Sequence, residues 1–315
     1  LDTLKITNGT YGLEANEGNK TNGGLYLNNI KNVDISGTVS AIYSDVRGKV
    51  DLTDIGTLNL TSNINRVSEY EGYLTATEDN TITCDYGSII NINATNTTIT
   101  STGRAILATA RSVDNINTLE DGSWETNTPW PQVNINSNTL TIAAATSGPT
   151  AAAVYSDTSA IVNLGSADNK IKTLKFDQYQ DEQGKKNYAN MNLYSSSYIY
   201  EEKETSRYNR YSATIADGKT ADNYILHKSQ INVYAENAEF NANTNAINAH
   251  NKALINVKAD TAVINSNYGN VATVAASAGA TVNIEGNDLA ITNKNTSYLK
   301  NAQVVEKEDA KIAIG

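Results

Sequence analysis

The sequence predicts an all-β chain wound as a solenoid of stacked coils, with three short strands to a coil. Between Ser229 and Asn293 one phrase occurs three times. It opens on Ile231-Asn232-Val233, Ile255-Asn256-Val257 and Val282-Asn283-Ile284, whose centres lie 24 and 27 residues apart. Each triplet is followed by a second apolar pair: Ala238/Phe240, Ala262/Ile264 and Leu289/Ile291. Third segments follow, Ala246–Ala249, Val271–Val274 and Ser297–Leu299. Repeats of this length, each holding three strands and their turns, are the mark of a solenoid. The apolar period is two rather than 3.6, and Thr, Asn, Val and Ile dominate, which excludes amphipathic helices.

Side chains alternate along a strand, so in Ile-Asn-Val the apolar pair points inward and the Asn outward. One coil cannot cover its own apolar edge. The next coil pairs its backbone with the first and buries Ile on Ile and Val on Val. β-Branched residues suit such a pleated wall. The turns are built from Asn, Gly, Asp and Ser, which tolerate left-handed backbone angles.

Taken in order, Leu4–Ile6 and Tyr11–Leu13 read as the last two strands of an incomplete coil. The next coil holds Leu25–Leu27, Val33–Ile35 and Ala41–Tyr43; the one after holds Val50–Leu52 and Leu58–Leu60, with Tyr73–Thr75 as its third strand. Ile90–Ile92, the region of Ile99 and Ala105–Leu107 follow, then Val133–Ile135, Leu140–Ile142 and Ala153–Tyr155. Val162–Leu164 and Leu174–Phe176 begin another coil, closed by Tyr224–Leu226, before the three regular repeats. This makes roughly eight full coils and, at about 4.8 Å per coil, a rod on the order of 40 Å long. The opening and closing residues already follow the strand pattern, so the chain reads as a piece of a longer solenoid.

Three gaps between triplet centres, of 40, 43 and 69 residues, exceed the usual spacing. The excess predicts insertions. The coils occupy residues 1–176, with loops at 75–88 and 109–131 leaving one corner. A Tyr-rich insertion at 177–222 protrudes from another corner, and residues 223–315 continue the coils to a truncated end. Loops on a rigid scaffold are the usual seat of recognition, and Tyr gives a large, stiff contact with a hydroxyl. Tyr194, Tyr198, Tyr200, Tyr208 and Tyr211 of the third insertion are therefore candidate binding residues, although some must pack the insertion itself. Trp124 and Trp130, held in a segment stiffened by Pro129 and Pro131, could stack on a sugar or anchor a protein, or tack the loop down. Outward on the first strands stand Asn91, Asn134, Asn163, Asn232, Asn256 and Asn283. Stacking puts them in one column, where they can form an amide ladder or a flat polar binding face.

Charged residues make up 18% of the chain, below the usual quarter or so. The net charge of −10 and the absence of a basic patch argue against nucleic acid. Cys84 is alone, so no intrachain disulfide forms. No apolar run reaches membrane-spanning length, so no membrane insertion is expected. His227 and His250 have no zinc-type spacing, and no nucleophile-elbow, Walker or calcium-repeat motif occurs. Neither a catalytic residue, a metal nor a cofactor is expected.

The irregular three-strand coils, the Asn/Thr/Ser turns, the Ala-rich third strands and the near absence of cysteine resemble the passenger domains of bacterial type V autotransporters. Ala253–Ala259 (Ala-Leu-Ile-Asn-Val-Lys-Ala) and Gly279–Gly286 (Gly-Ala-Thr-Val-Asn-Ile-Glu-Gly) carry the likeness. The resemblance implies a right-handed parallel β-helix, exported through an oxidising periplasm, displayed on the bacterial surface or secreted, and tethered through an outer-membrane translocator. It also implies adhesion to a host or bacterial surface protein or glycan. The alternatives are self-association with another copy, leading to autoaggregation and biofilm, and a polysaccharide-cleaving β-helix enzyme.

Overall fold

The structure is a computed structural model. It describes all residues except 17–23, 46–47, 63–67, 71–72, 76–79, 86, 110–130, 147–151, 158–159, 198–227, 268–270 and 294–303. Among the described residues it is all-β. One sheet takes in every strand but two, and the pairings between successive passes of the chain are parallel, consistent with a parallel β-helix.

Strand β1 (Thr3–Ala15) lies beside the second half of β2 (Leu25–Ser44), with Leu4 on Val33 and Leu13 on Ile42. The first half of β2 pairs with β3 (Lys49–Ser62), Leu25 on Val50 and Val33 on Leu58. Next come a short antiparallel hairpin, β4 (Ser68–Tyr70) and β5 (Tyr73–Thr75), then β6 (Asn80–Asp85). β7 (Ile89–Ser101) and β8 (Arg104–Thr109) form the next rung, and β9 (Gln132–Ala144) and β10 (Ala152–Asp157) the one after. The following rung uses β11 (Ile161–Leu164), β12 (Ile171–Gln180), a two-residue β13 (Lys186–Asn187) and β14 (Met191–Ser196). β15 (Gln230–Ala242), β16 (Ile247–His250), β17 (Leu254–Ser266) and β18 (Val274–Ala276) carry two more rungs. β19 (Thr281–Glu285), β20 (Asp288–Asn293), β21 (Val304–Glu306) and β22 (Lys311–Ile314) end the described chain.

Register explains the core. Val50, Ile90, Val133, Val162, Ile231, Ile255 and Val282 stack in one inward column, and all are fully buried. Phe176 and Phe240 stack in the core at 5.2 Å between centroids. Where apolar volume is short, hydroxyls pair instead: Ser62 lies 2.7 Å from Thr81 and 3.0 Å from Ser101, and Ser156 lies 2.8 Å from Ser229, all buried.

Several sequence expectations change, and the last third strand is β21, paired with β18, whereas Ser297–Leu299, expected in that place, lies outside the described residues. The third strand after Leu60 is β6, not Tyr73–Thr75. Ile82 pairs with Ile42 and Ile106, whereas Tyr73–Thr75 closes the β4–β5 hairpin. The supposed insertion at 75–88 therefore contains a sheet strand. Likewise 177–222 does not leave the sheet at 177. β12 runs on to Gln180, turns back through β13, and the chain rejoins the sheet as β14, paired with β10 and β16. Tyr224–Leu226, expected to close that coil, lies outside the described residues.

Candidate functional site: the carboxamide row and the loop-bearing edge

The first strands of successive rungs align Tyr26, Asp51, Asn91, Asn134, Asn163, Asn232, Asn256, Asn283 and Ala313 in one outward column. The carboxamides form an unbroken, one-way chain. Nδ2 of Asn134 donates to Oδ1 of Asn91 at 2.8 Å, Asn163 to Asn134 at 2.7 Å, and Asn232 to Asn163 at 2.8 Å. Asn256 donates to Asn232 and Asn283 to Asn256, both at 2.8 Å. Asn91 ends the run by donating at 2.6 Å to the carboxylate of Asp51, which also holds the Lys49 ammonium at 2.8 Å. That hydrogen bond to Asp51 is the main cause of the raised Lys49 pKa. At the other end Ala313 has no amide to continue the chain. These bonds span from 24 to 69 residues of sequence at nearly constant length. Each amide from Asn91 to Asn256 uses one N–H and one lone pair within the row and keeps a second of each, while Asn283 only donates.

A second row, not anticipated from the sequence, runs on the neighbouring strands. Asn265 donates to Asn241 at 3.0 Å, and the Thr292 hydroxyl donates to Oδ1 of Asn265. The 24-residue spacing of Asn241 and Asn265, equal to that of the flanking triplets, is the signal that could have found it.

The corner joining a third strand to the next first strand is a four-residue turn on most rungs. The N–H groups of Gly48, Ala160, Ala253, Ala280 and Ala310 donate to the carbonyls of Asp45, Asp157, His250, Ser277 and Lys307 at 2.9–3.2 Å. Asn251-Lys252, Ala278-Gly279 and Glu308-Asp309 take positive φ at both central positions, the requirement of a type I′ turn. Thr109 and Ser196 both stand in register with Asp157, the first residue of such a turn. From these two positions the chain instead runs through 110–130 and 198–227 before rejoining at Gln132 and Gln230, both paired through Ile161. The residues that flank 110–130 and 198–227 thus lie at one edge of the sheet, two rung spacings, or about 10 Å, apart.

The sequence placed the third insertion at a different corner and Tyr194 within it. Tyr194 instead belongs to β14, is 7% exposed, and stacks on Tyr155 at 5.1 Å. The Arg104 guanidinium lies 4.8 Å from the Tyr155 ring centroid. Burial, with the nearby Asp157 carboxylate second, pushes the Tyr155 hydroxyl above its usual range. Tyr194 is a packing residue of the rod, not an exposed contact. Tyr198, Tyr200, Tyr208, Tyr211, Trp124 and Trp130 lie outside the described residues. Among the described residues, no group of His, Cys, Asp and Glu is placed to hold a metal ion, and no helix is long and apolar enough to cross a membrane.

Comparison with protein-family models, curated proteins and solved structures returns no match.

Proposed function

We propose that this chain is the stalk of a bacterial cell-surface adhesin: a right-handed parallel β-helix of roughly eight three-strand coils, stacked at about 4.8 Å. Its excursions 110–130 and 198–227 make contact with a host or bacterial surface. The observation that carries the reading is the shared edge. Where other rungs pass from third to first strand in four residues, these two connections hold 110–130 and 198–227 besides, and both are attached at one side of the sheet. Rigid presentation of loops at one edge is what a recognition surface needs.

The turn geometry also supplies the test. Removing 198–227 leaves Ser196-Ser197-Lys228-Ser229, the same length as the Asp157–Ala160 turn one rung away. Beads coated with the intact chain are expected to adhere to epithelial or bacterial surfaces. Beads coated with the shortened chain should lose most of that adhesion while its thermal midpoint stays in place. Equal adhesion of both would remove the role given to this excursion.

A second reading rests on the carboxamide row, whose spare N–H groups and lone pairs could bond to the same row of another copy. Concentration-dependent dimerisation in sedimentation, abolished by replacing Asn134 and Asn163 with Asp, would favour it.

A further inference from the structure

A groove of about 580 Å³ runs along the rod where first strands bend into second strands. The bend is local chemistry. Asn29 and Asp54 take positive φ (56° and 53°), which Asn and Asp tolerate better than other non-glycine residues. The register between β3 and β7 shifts here, between Leu52 and Ile55, so β3 carries an extra residue that re-aims its neighbours. The groove is lined by Asn29, Asp54, Asn93, Thr95, Asn136 and Asn138 among others, over a floor of Ile30, Ile55 and Ala94. From the rung of Asn29 to that of Asn136 is three rung spacings, about 14 Å.

The bonding state of these amides separates the groove from the structural rows. Asn91 and Asn134 are bonded to each other at 2.8 Å. Asn93 and Asn136, one pleat further along the same strands and in register with each other, make no side-chain hydrogen bond among the described residues. The same holds for the side chains of Asn29, Asp54, Thr95 and Asn138. Their donors and acceptors are uncommitted and face the groove.

We infer that this groove binds a neutral, hydroxyl-rich oligosaccharide lying along the rod. A carboxamide offers a donor and an acceptor side by side, which suits the paired hydroxyls of a sugar. An extended peptide would need free backbone N–H and C=O groups, but those of β2, β3, β7 and β9 are engaged in rung pairing. Nor is there a pocket for apolar side chains, since Ile30, Ile55 and Ala94 are 6%, 2% and 6% exposed. A polyanionic glycan is disfavoured, because Asp2 and Asp54 line one end and Lys31 is the single cationic side chain among the lining residues. The contacts are solvent-facing, so single-site affinity is low and avidity comes from many rods on one surface. The inference deepens the adhesin reading and takes its biological sense from it.

The test is an array of neutral, sialylated and sulfated oligosaccharides probed with the intact chain, the double variant Asn93→Ala/Asn136→Ala, and Thr95→Trp, which fills the groove. Expected is binding to neutral oligosaccharides, weakened at least tenfold in both variants, with unchanged thermal midpoints because the replaced groups bond to nothing in the fold. Binding only to acidic oligosaccharides, no binding, or equal binding by the variants would overturn it. The two readings fail separately. Bead adhesion that needs 198–227 but is indifferent to the groove variants, with no neutral oligosaccharide bound, sinks the groove and leaves the adhesin. Groove-dependent binding of a neutral oligosaccharide by a chain whose beads adhere to no surface does the reverse.

Discussion

Asn163 sits mid-row, donating to Asn134 and accepting from Asn232, so its replacement breaks two bonds and leaves two half-buried amides short of a partner. Water can reach the row, which keeps the cost of Asn163→Ala to about 1–2 kcal/mol, measurable by denaturant unfolding. A loss near zero would mean the row contributes no stability. Tyr155 allows a pH prediction. Its folded pKa is raised, chiefly by burial. Its stabilising contribution is therefore complete below the unfolded value of about 10 and is lost as pH rises from there toward the folded value. Between pH 9 and 11 the thermal midpoint should fall, and Tyr155→Phe should fall less steeply. Identical slopes would show that Tyr155 titrates as freely folded as unfolded. Tyr43 is shifted the same way, by burial first and then by Asp45, to which its hydroxyl donates at 3.0 Å.

At the scale of elements, the turns between third and first strands are the sharpest local constraint. Ala278 holds φ at 52°, beside Gly279 at 70°. A left-handed backbone costs a non-glycine residue about 1–2 kcal/mol, partly offset by the unfolded-state entropy that glycine adds. Ala278→Gly is therefore expected to stabilise by about 0.5–1 kcal/mol, read as a raised thermal midpoint; a lowered midpoint would contradict the turn. First and second strands were legible in the sequence, because Ile, Val and Leu at period two mark them without ambiguity. Third strands were legible only where alanines and a large apolar residue coincide, as at Ala105–Leu107. Around Ile82 and Leu193 the chain uses Thr81, Thr83, Asn192, Ser195 and Ser196, held by hydroxyl pairs and by the Asn192 amide on the Asn241 carbonyl. Hydropathy does not register such a strand, so the sequence points instead to Tyr73–Thr75 and Tyr224–Leu226 and places Tyr194 in the protruding insertion. The carboxamide row was legible as a column because stacking fixes it once the triplets are aligned. The groove was not, since it depends on the φ of Asn29 and Asp54. Its one trace is the recurrence of Asn or Thr two residues past the first four triplet centres: Asn28, Thr53, Asn93 and Asn136.

At the scale of the whole molecule, parallel registry from β1 to β22 makes each rung depend mainly on its neighbours, as in other solenoids. Such a scaffold tolerates long excursions, because a loop at one corner leaves the inward columns unchanged. The inward column continues from Val133 through Val162 to Ile231, although 69 residues of sequence separate Asn163 from Asn232. The proposed contact uses residues 110–130 and 198–227, both of which join the sheet at the edge where third strands lead into first strands. The measurement that tests it most directly is binding to a panel of purified host-surface proteins and glycans, comparing the intact chain with the chain lacking 198–227. At least one partner is expected to bind the intact chain and to be lost with residues 198–227, at an unchanged thermal midpoint. A panel on which no binding depends on 198–227 would contradict it.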